Sequence, residues 1–281
     1  MRSLKGMLLM IAVVLHTGCR GKVRDDLSYD YEVKQTWTLD DLPHEEIVQF
    51  ESVFWEPQDT TELRRLIISE NLADGRSVLE IGTGTGLLSL LCLRHGASEV
   101  VATDINPAAV ACARYNAANL NVDENLSVRQ VSREDSAAYA VIEANERFDL
   151  ILSNPPWEGG TVSQPADHAF YDPDFELLDS ILAGLPKHLK PAGRCYLSYG
   201  NKQAIRRVQR QAAKHDMVVK VLDDRDLETL SEDFLPGMLL EIRLKSPKVE
   251  LPGHKPTAPP TASEDLPTDN LPSEDGLSGE S

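Results

Sequence analysis

The sequence of 281 residues is poor in cysteine and short of positive charge. It has four cysteines, and none of them has the paired spacing of a zinc site, so we expect no metal centre. We interpret Cys92, Cys112 and Cys195 as structural thiols because they lie in apolar runs. Lys and Arg number 28 against 45 Asp and Glu, a formal net charge of -17. Such a chain repels a phosphate backbone and shows no basic stripe, so nucleic acid is a disfavoured partner.

The sequence also lacks an apolar run long enough to span a bilayer as a helix. The short run Met7–Leu15 follows Arg2 and Lys5 and precedes Cys19. This pattern resembles a bacterial lipoprotein signal, so we interpret residues 1–22 as a signal-like segment with lipid attachment at Cys19. A membrane-anchored lipoprotein is then expected. The alternative is a cytoplasmic protein whose translation start is assigned too far upstream.

The two ends of the chain differ in composition from its middle. Residues 246–281 are rich in Pro, Ser, Thr, Asp and Glu and have almost no large apolar side chains, which predicts a disordered acidic tail. We interpret residues 23–52 as an N-terminal extension and residues 53–245 as one globular domain. The hydrophobic fraction of 41% is sufficient for a buried core.

Apolar runs of strand length alternate with segments of helical period in the middle of the chain. The predicted strands cover residues 77–81, 99–103, 126–130, 148–153, 194–198, 217–222 and 238–244. The predicted helices cover residues 87–94, 107–120 and 175–189. This alternation predicts an α/β fold with a mostly parallel sheet covered by helices on both faces. An acidic stretch joins the last two strands, so we expect that pair to be antiparallel.

The first predicted strand runs directly into a glycine-rich turn. Gly82, Gly84 and Gly86 have the spacing G-x-G-x-G, whereas dinucleotide folds use G-x-G-x-x-G, and no Lys-Ser/Thr pair follows to make a phosphate-binding loop. Glu80 would repel a pyrophosphate but can accept a hydrogen bond from an ammonium group. The loop therefore predicts a nucleoside cofactor with a cationic amino-acid part. The alternative is an ordinary tight strand-to-helix turn.

Asp104 follows the second predicted strand and precedes Ile105 and Asn106. An acid at this position can accept both hydroxyl groups of a ribose. Taken alone, Asp104 fits a helix cap at least as well. Because the glycine loop lies at the matching spacing upstream, we favour the ribose site.

The glycine loop and Asp104 together resemble the first two motifs of class I S-adenosylmethionine-dependent methyltransferases. The resemblance implies S-adenosylmethionine as the cofactor and a Rossmann-like, seven-stranded sheet. In that family the first acid lies near the methionine part of the cofactor, the glycines pass under it, and the second acid binds the ribose. A further contact with the adenine often follows the third strand. The implied cofactor residues are Glu80, Gly82, Thr83, Gly84, Gly86, Asp104, Ile105, Asp135 and Ser136.

The strand at residues 148–153 ends in Asn154-Pro155-Pro156-Trp157. Two prolines remove backbone donors and fix φ, so this segment predicts a rigid loop at the carboxyl edge of the sheet, where such folds bind ligands. The Asn154 side-chain oxygen and the Pro155 carbonyl can accept the two N–H groups of a planar nitrogen, on which Trp157 can stack. The loop resembles the Asn/Asp-Pro-Pro-aromatic signature of amino-methyltransferases. That resemblance implies catalytic roles for Asn154, Pro155, Pro156 and Trp157, with Asn154 also beside the cofactor.

Residues 53–63 are similar to the segment before the first motif in protein-glutamine N5-methyltransferases of the release-factor type. The resemblance implies that Asp59 and Thr60 cover the cofactor; the alternative is an ordinary capped helix start. The stretch between Cys19 and Val53 is too short for that family's N-terminal helical substrate domain. We expect transfer to a glutamine side chain of a protein. Two alternatives stay open, namely transfer to an exocyclic amine of an RNA or DNA base, and an inactive envelope lipoprotein that keeps the cofactor fold.

Overall fold

The computed structural model describes residues 24–230 and 236–245. The signal-like segment at residues 1–22, which includes Cys19, and the acidic tail at residues 246–281 lie outside the described residues, so both interpretations stay predictions. Within the described ranges, no helix combines the length and the apolar character that crossing a bilayer requires.

A seven-stranded sheet forms the centre of the fold. The strands of the described chain are β1 (Val33–Thr38), β2 (Glu46–Phe50), β3 (Ser77–Ile81), β4 (Glu99–Asp104), β5 (Leu126–Gln130), β6 (Phe148–Ser153), β7 (Leu189–Tyr199), β8 (Met217–Val221) and β9 (Met238–Leu244). The α-helices are α1 (Thr61–Ser69), α2 (Leu87–Arg94), α3 (Pro107–Asn119), α4 (Glu176–His188) and α5 (Lys202–Lys214). The strand order is β5-β4-β3-β6-β7-β9-β8, and β1 pairs with β2 in a separate antiparallel hairpin.

The direction of the strands matches the sequence-based prediction. Strands β3 to β7 run parallel, whereas β9 runs antiparallel to both β7 and β8. The predicted Rossmann-like α/β fold with an antiparallel last pair is confirmed. Because the strands are parallel, the carboxyl ends of β3, β4 and β6 meet at one edge, which brings the glycine loop, Asp104 and Asn154 together.

The sheet is buried on both faces, which explains its continuous apolar runs. β3 is buried at every position. Leu79 and Ile151 pack in one cluster with side chains of α4 and α5, whereas Val78 and Leu150 pack on the opposite face with α1 and α2. Each fully buried side chain of this kind contributes about 1.5–3 kcal/mol to folding. The core therefore holds the ends of the central strands in fixed positions.

The strand predicted from residue 194 begins earlier in the structure, at Leu189. Leu189 pairs with Phe148, and the next pair joins Arg194 to Leu150, so residues 190–193 bulge out of the ladder. Pro191 and Gly193 lie in this bulge, between the predicted helix at residues 175–189 and the predicted strand at residues 194–198.

Helix α5 was absent from the sequence-based predictions. The Asn201 side chain caps it by accepting a hydrogen bond from the Ala204 amide at 3.1 Å. The helix carries five Lys and Arg and no acid. Much of this charge is paired locally, because Arg206 bonds to Glu228 and another arginine of α5 bonds to Asp179, each at 2.7 Å.

The β1–β2 hairpin lies within the predicted N-terminal extension and packs on α3. Asn116 of α3 is fully buried; its Oδ1 accepts from the Val48 amide at 2.8 Å, and its Nδ2 donates to the Val48 carbonyl at 2.8 Å. The same Nδ2 donates to the Thr85 carbonyl in the glycine loop at 2.9 Å. One side chain therefore links the hairpin to the loop between β3 and α2.

Candidate active site

The glycine loop leaves β3 in a conformation that favours glycine. Gly82, Gly84 and Gly86 have φ values of 78°, 55° and 88°, all in the left-handed region. A Cβ on Gly86 would lie 3.1 Å from the Cβ of Ala113, so glycine permits the close approach of α2 to α3. The amide of Gly82 donates to the Thr103 carbonyl at 2.9 Å, which ties the loop to β4.

Glu80 holds the glycine loop in place through hydrogen bonds to its buried carboxylate. Its buried carboxylate accepts from the Thr83 hydroxyl at 2.7 Å, from the Ser89 amide at 3.1 Å and from the Ser89 hydroxyl. Burial raises the pKa of Glu80 to about 7, although the hydrogen bonds from Ser89 and Thr83 act in the opposite direction. Ser89 is not among the predicted site residues, although a hydroxyl inside the apolar helix α2 is a signal that could have identified it.

Asp104 lies opposite this loop, at the end of β4. One of its carboxylate oxygens accepts from the Gly84 amide at 2.9 Å and the other from the Asn106 amide at 2.8 Å. Burial raises the pKa of Asp104, against the effect of these backbone donors. A carboxylate has about four acceptor positions, so each oxygen keeps one for a ribose hydroxyl.

These residues form one wall of a cavity of about 480 Å³, a size suited to a small cofactor. The predicted cofactor residues that line it are Thr60, Glu80, Gly82, Thr83, Gly84, Asp104, Ile105, Asp135, Ser136 and Asn154. Pro155 and Pro156 of the acceptor loop line the same cavity. No Lys or Arg of the described chain does so, whereas several carboxylates do, which suits a cationic ligand.

Comparisons with known proteins agree with this geometry. The family "Ribosomal protein L11 methyltransferase (PrmA)" matches residues 58–155. A proposed protein N5-glutamine methyltransferase of Methanocaldococcus jannaschii is 35% identical over 136 residues, which are 46% of this chain and 64% of the relative. The release factor glutamine methyltransferase of Streptococcus pneumoniae is 32% identical over 188 residues, 63% of this chain and 62% of the relative. The chain thus spans less than two thirds of each relative's length.

A solved structure shows the same fold. A proposed SAM-dependent methyltransferase from Streptococcus mutans superposes with a TM-score of 0.53 at 15% identity, over 71% of this chain and 53% of that chain. The family model and the two relatives together indicate an S-adenosylmethionine-dependent methyltransferase domain in the described chain, and the solved structure agrees with its fold. The predicted cofactor is confirmed, and the acidic cavity with its left-handed glycines fits the cationic S-adenosylmethionine.

Three predicted site residues of the methyltransferase domain lie outside the cavity lining: Asp59, Gly86 and Trp157. Gly86 begins α2 and packs on α3. The Trp157 indole is partly buried against the core, and its Nε1 donates to the Ser198 carbonyl at 3.1 Å. Its stacking on the methyl-accepting group stays a prediction.

Asn154 is the central polar residue of the acceptor loop. Its Oδ1 is buried, and no described residue donates a hydrogen bond to it. An unpaired buried carbonyl oxygen costs about 1–3 kcal/mol, so a bound N–H group would relieve an existing deficit.

The cavity of the methyltransferase domain is also lined by a segment that sequence reasoning did not place there. Residues 158–175 follow the acceptor loop and contribute lining residues such as His168 and Tyr171. Phe170 of this segment contacts Phe54 edge to face, with ring centroids 5.4 Å apart. No hydrophobic periodicity marks residues 158–175, which is why their position could not be predicted.

No group of three or more His, Cys, Asp or Glu in residues 24–230 and 236–245 is arranged to hold a metal ion. The side chains Cys92, Cys112 and Cys195 are free and buried. Burial raises the pKa of Cys195 well above its ordinary range, which makes its thiolate inaccessible at neutral pH. These cysteines therefore behave as apolar core residues.

Proposed function

We propose that the protein transfers the methyl group of S-adenosylmethionine to the side-chain amide nitrogen of a glutamine in a protein. The observation that carries this proposal is the buried, unpaired Oδ1 of Asn154 beside the cofactor cavity. The names of the two relatives described above, both glutamine methyltransferases, support a protein amide as the acceptor.

The acceptor loop has the groups that an amide nitrogen needs. The nitrogen of an amide is a weak nucleophile because its lone pair is delocalised into the carbonyl group. Asn154 Oδ1 and the Pro155 carbonyl can each accept one N–H group, which holds the lone pair toward the cavity. S-adenosylmethionine, when bound, supplies a methyl group on a cationic sulfur. The new carbon–nitrogen bond forms as the carbon–sulfur bond breaks, and the nitrogen then loses one proton to solvent.

Charge also favours a protein over a nucleic acid as the substrate. The carboxylates that line the cavity include Glu56, Glu134, Asp172 and Glu176. A phosphate backbone near these groups would be repelled. The basic helix α5 does not reverse this, since Arg206 and Arg207 pair with acidic residues of the same chain.

The test is to follow the methyl group. The full chain is incubated with methyl-labelled S-adenosylmethionine and with separate protein and RNA fractions. We expect label in protein, on glutamine after digestion and mass spectrometry. A synthetic peptide with one glutamine between glycines should accept label, while the matched peptide with glutamate in that position should not. Label found only in RNA would contradict the proposal and favour a base amine.

A further inference from the structure

We infer that Trp55 is a cofactor-binding residue whose indole ring contacts the cationic methionine part of S-adenosylmethionine. Trp37 of the β1–β2 hairpin is the positioning residue that holds this ring in place. Trp55 lines the cavity but is absent from the predicted cofactor residues. The inference concerns the cofactor half of the site, so it does not depend on the identity of the methyl acceptor.

The segment before α1 runs beside the glycine loop and on toward β7. A Cβ placed on Gly84 would lie 3.7 Å from the Phe54 carbonyl oxygen, so the backbone comes close to the loop at this point. Farther along the segment, the Asp59 carbonyl accepts a hydrogen bond from the Ser198 hydroxyl at the end of β7. Because Trp55 directly follows Phe54, it lies between the glycine loop and the end of β7.

This position corresponds to the methionine end of the cavity. In the strand order, β5 and β4 lie on one side of β3, whereas β6 and β7 lie on the other. The expected adenine contacts, Asp135 and Ser136, follow β5, so they are on the opposite side of the glycine loop from Trp55. Glu80, which the resemblance places near the methionine part, lines the same cavity. The part of the cofactor nearest Trp55 is therefore the one that carries its ammonium and sulfonium groups.

The β1–β2 hairpin holds the Trp55 ring from outside the cavity. Trp37 is half-buried, whereas the other five residues of β1 are exposed. Its ring stacks on that of Trp55, with centroids 5.3 Å apart and an interplanar angle of 19°. Trp37 Nε1 donates to Gln49 Oε1 at 3.0 Å, and the buried Gln49 donates through Nε2 to the Val53 carbonyl at 2.7 Å. The hairpin therefore fixes both the stacked ring and the start of the segment that carries Trp55.

The electrostatics of this wall favour a cation beside the ring. The face of an indole carries negative electrostatic potential and attracts a positive charge within roughly 6 Å of its centre. Among the described residues, no Lys or Arg lines the cavity, whereas Glu56 beside Trp55 does and adds negative charge. Trp37 covers one face of the Trp55 ring, which leaves the other face and the edge for a ligand. The stack also limits rotation of the ring, so little conformational entropy is lost when a ligand binds.

The first experiment measures the cofactor affinity of the full chain by calorimetry, without a methyl acceptor. Trp55→Leu should lower the affinity for S-adenosylmethionine about fivefold to thirtyfold, the range expected for a cation–π contact shielded from water. For 5′-methylthioadenosine, which keeps the nucleoside but lacks the cationic amino-acid part, the loss should be less than about twofold. Val33→Thr, at an exposed position of β1, should match wild type. Unchanged affinity for S-adenosylmethionine in Trp55→Leu, or an equal loss for both ligands, would overturn the inference.

The second experiment tests the positioning role of Trp37 with the same two ligands. Trp37→Leu removes the stack and should lower the affinity for S-adenosylmethionine about twofold to fivefold, while the affinity for 5′-methylthioadenosine should stay at the wild-type value. Trp37→Phe keeps an aromatic ring and should restore most of the lost affinity. A general weakening of the fold would not spare one ligand. Equal losses for both ligands would show that Trp37 supports the whole cavity, and its assigned role would be wrong.

The third experiment uses fluorescence and covers the case in which the Leu variants fold poorly. The chain has three tryptophans, so Trp37→Phe combined with Trp157→Phe leaves Trp55 as the sole indole. S-adenosylmethionine should change the fluorescence of this protein saturably, with the same midpoint as in calorimetry. Binding that leaves this fluorescence unchanged would contradict a contact with Trp55. If the wild type bound the cofactor but modified no glutamine, the proposed function alone would fail.

Discussion

The two halves of the active site differ in how their polar groups are satisfied. In the cofactor half, Glu80 and Asp104 accept hydrogen bonds on their carboxylates from residues of the neighbouring loops and helix. In the acceptor half, Asn154 has an Oδ1 that receives no hydrogen bond from the described residues. In the first half, the chain itself supplies hydrogen-bond donors to both carboxylates. In the second half, no described residue donates to Asn154 Oδ1, so a bound N–H group would satisfy this acceptor.

This difference indicates that the cofactor half is preorganised, whereas the acceptor half has a hydrogen-bond acceptor that is satisfied only when substrate binds. Donors fixed by the backbone keep the cofactor loop in place before binding, so little reorganisation is needed there. The acceptor half has its framework in place, through the two prolines of its loop and the hydrogen bond from Trp157 to the Ser198 carbonyl. Variants that act on one half should therefore affect either cofactor binding and stability, or methyl transfer, and not both.

The largest expected effect comes from removing the acceptor. Asn154→Ala should lower the rate of methyl transfer by about 10²- to 10³-fold, a typical cost of losing one group that positions the reacting atoms. Calorimetry should give an affinity for S-adenosylmethionine within about twofold of wild type, since the cofactor half is unchanged. Parallel losses of transfer and affinity would show that Asn154 supports the whole cavity, and the separation of the two halves would then be wrong.

A smaller effect is expected in the cofactor half, from the buried charge of Glu80. Its folded-state pKa of about 7 lies above the ordinary value of 4.5, so the folded protein binds a proton that the unfolded chain releases. The stabilisation is complete below the ordinary pKa and is lost as pH rises through about 7.

Urea unfolding of wild type and Glu80→Gln at pH 5 and pH 8 measures this loss. The free energy of unfolding of wild type should fall relative to that of the variant by about 2–3 kcal/mol over this interval. Burial also raises the pKa of Asp59, to about 6, but its effect on the pH dependence of stability is the same in both proteins and cancels in the difference. Glu99→Gln, at an exposed position at the start of β4, should behave like wild type. Parallel pH dependences in wild type and Glu80→Gln would mean that Glu80 stays ionised in the folded state.

The smallest effect should come from Trp157. Trp157→Phe keeps a ring but removes the hydrogen bond to the Ser198 carbonyl, so we expect kcat/KM to fall about threefold, the size of one ordinary hydrogen bond. Trp157→Ala removes the ring as well and should cost considerably more if the ring stacks on the substrate amide. The comparison is made with the glutamine peptide at one pH. Equal losses in both variants would show that the ring does not contact the substrate.

The parts of the site that are continuous in sequence could be predicted. Glu80, the three glycines and Asp104 lie at the ends of two successive strands, and Asn154 ends the strand beside them, so chain order alone places them at one sheet edge. The seven strands follow from their apolar runs. Helix α5 could also have been predicted, because Ala204, Ile205 and Val208 are buried and lie at helical spacing in the sequence.

Other parts depend on contacts that chain order does not reveal. Ser198 and Gly237 meet Asp59 only because β7 and β9 are neighbours in the sheet. The two aromatic rings at Phe54 and Phe170 contact each other although their segments lie more than a hundred residues apart in the chain. Neither contact has a local pattern, since each requires the order of the strands to be known first.

The side chain of Asn116 has a practical consequence for any shortened version of this protein. A fragment that starts at Val53, where the composition suggests a boundary, would remove Val48, and this buried amide would keep only the Thr85 carbonyl and the Cys112 sulfur as partners. It would also expose the surface of α3 that Phe50 covers. Because the same amide holds the glycine loop, such a cut should weaken cofactor binding at a distance. The smallest active fragment should therefore retain the hairpin.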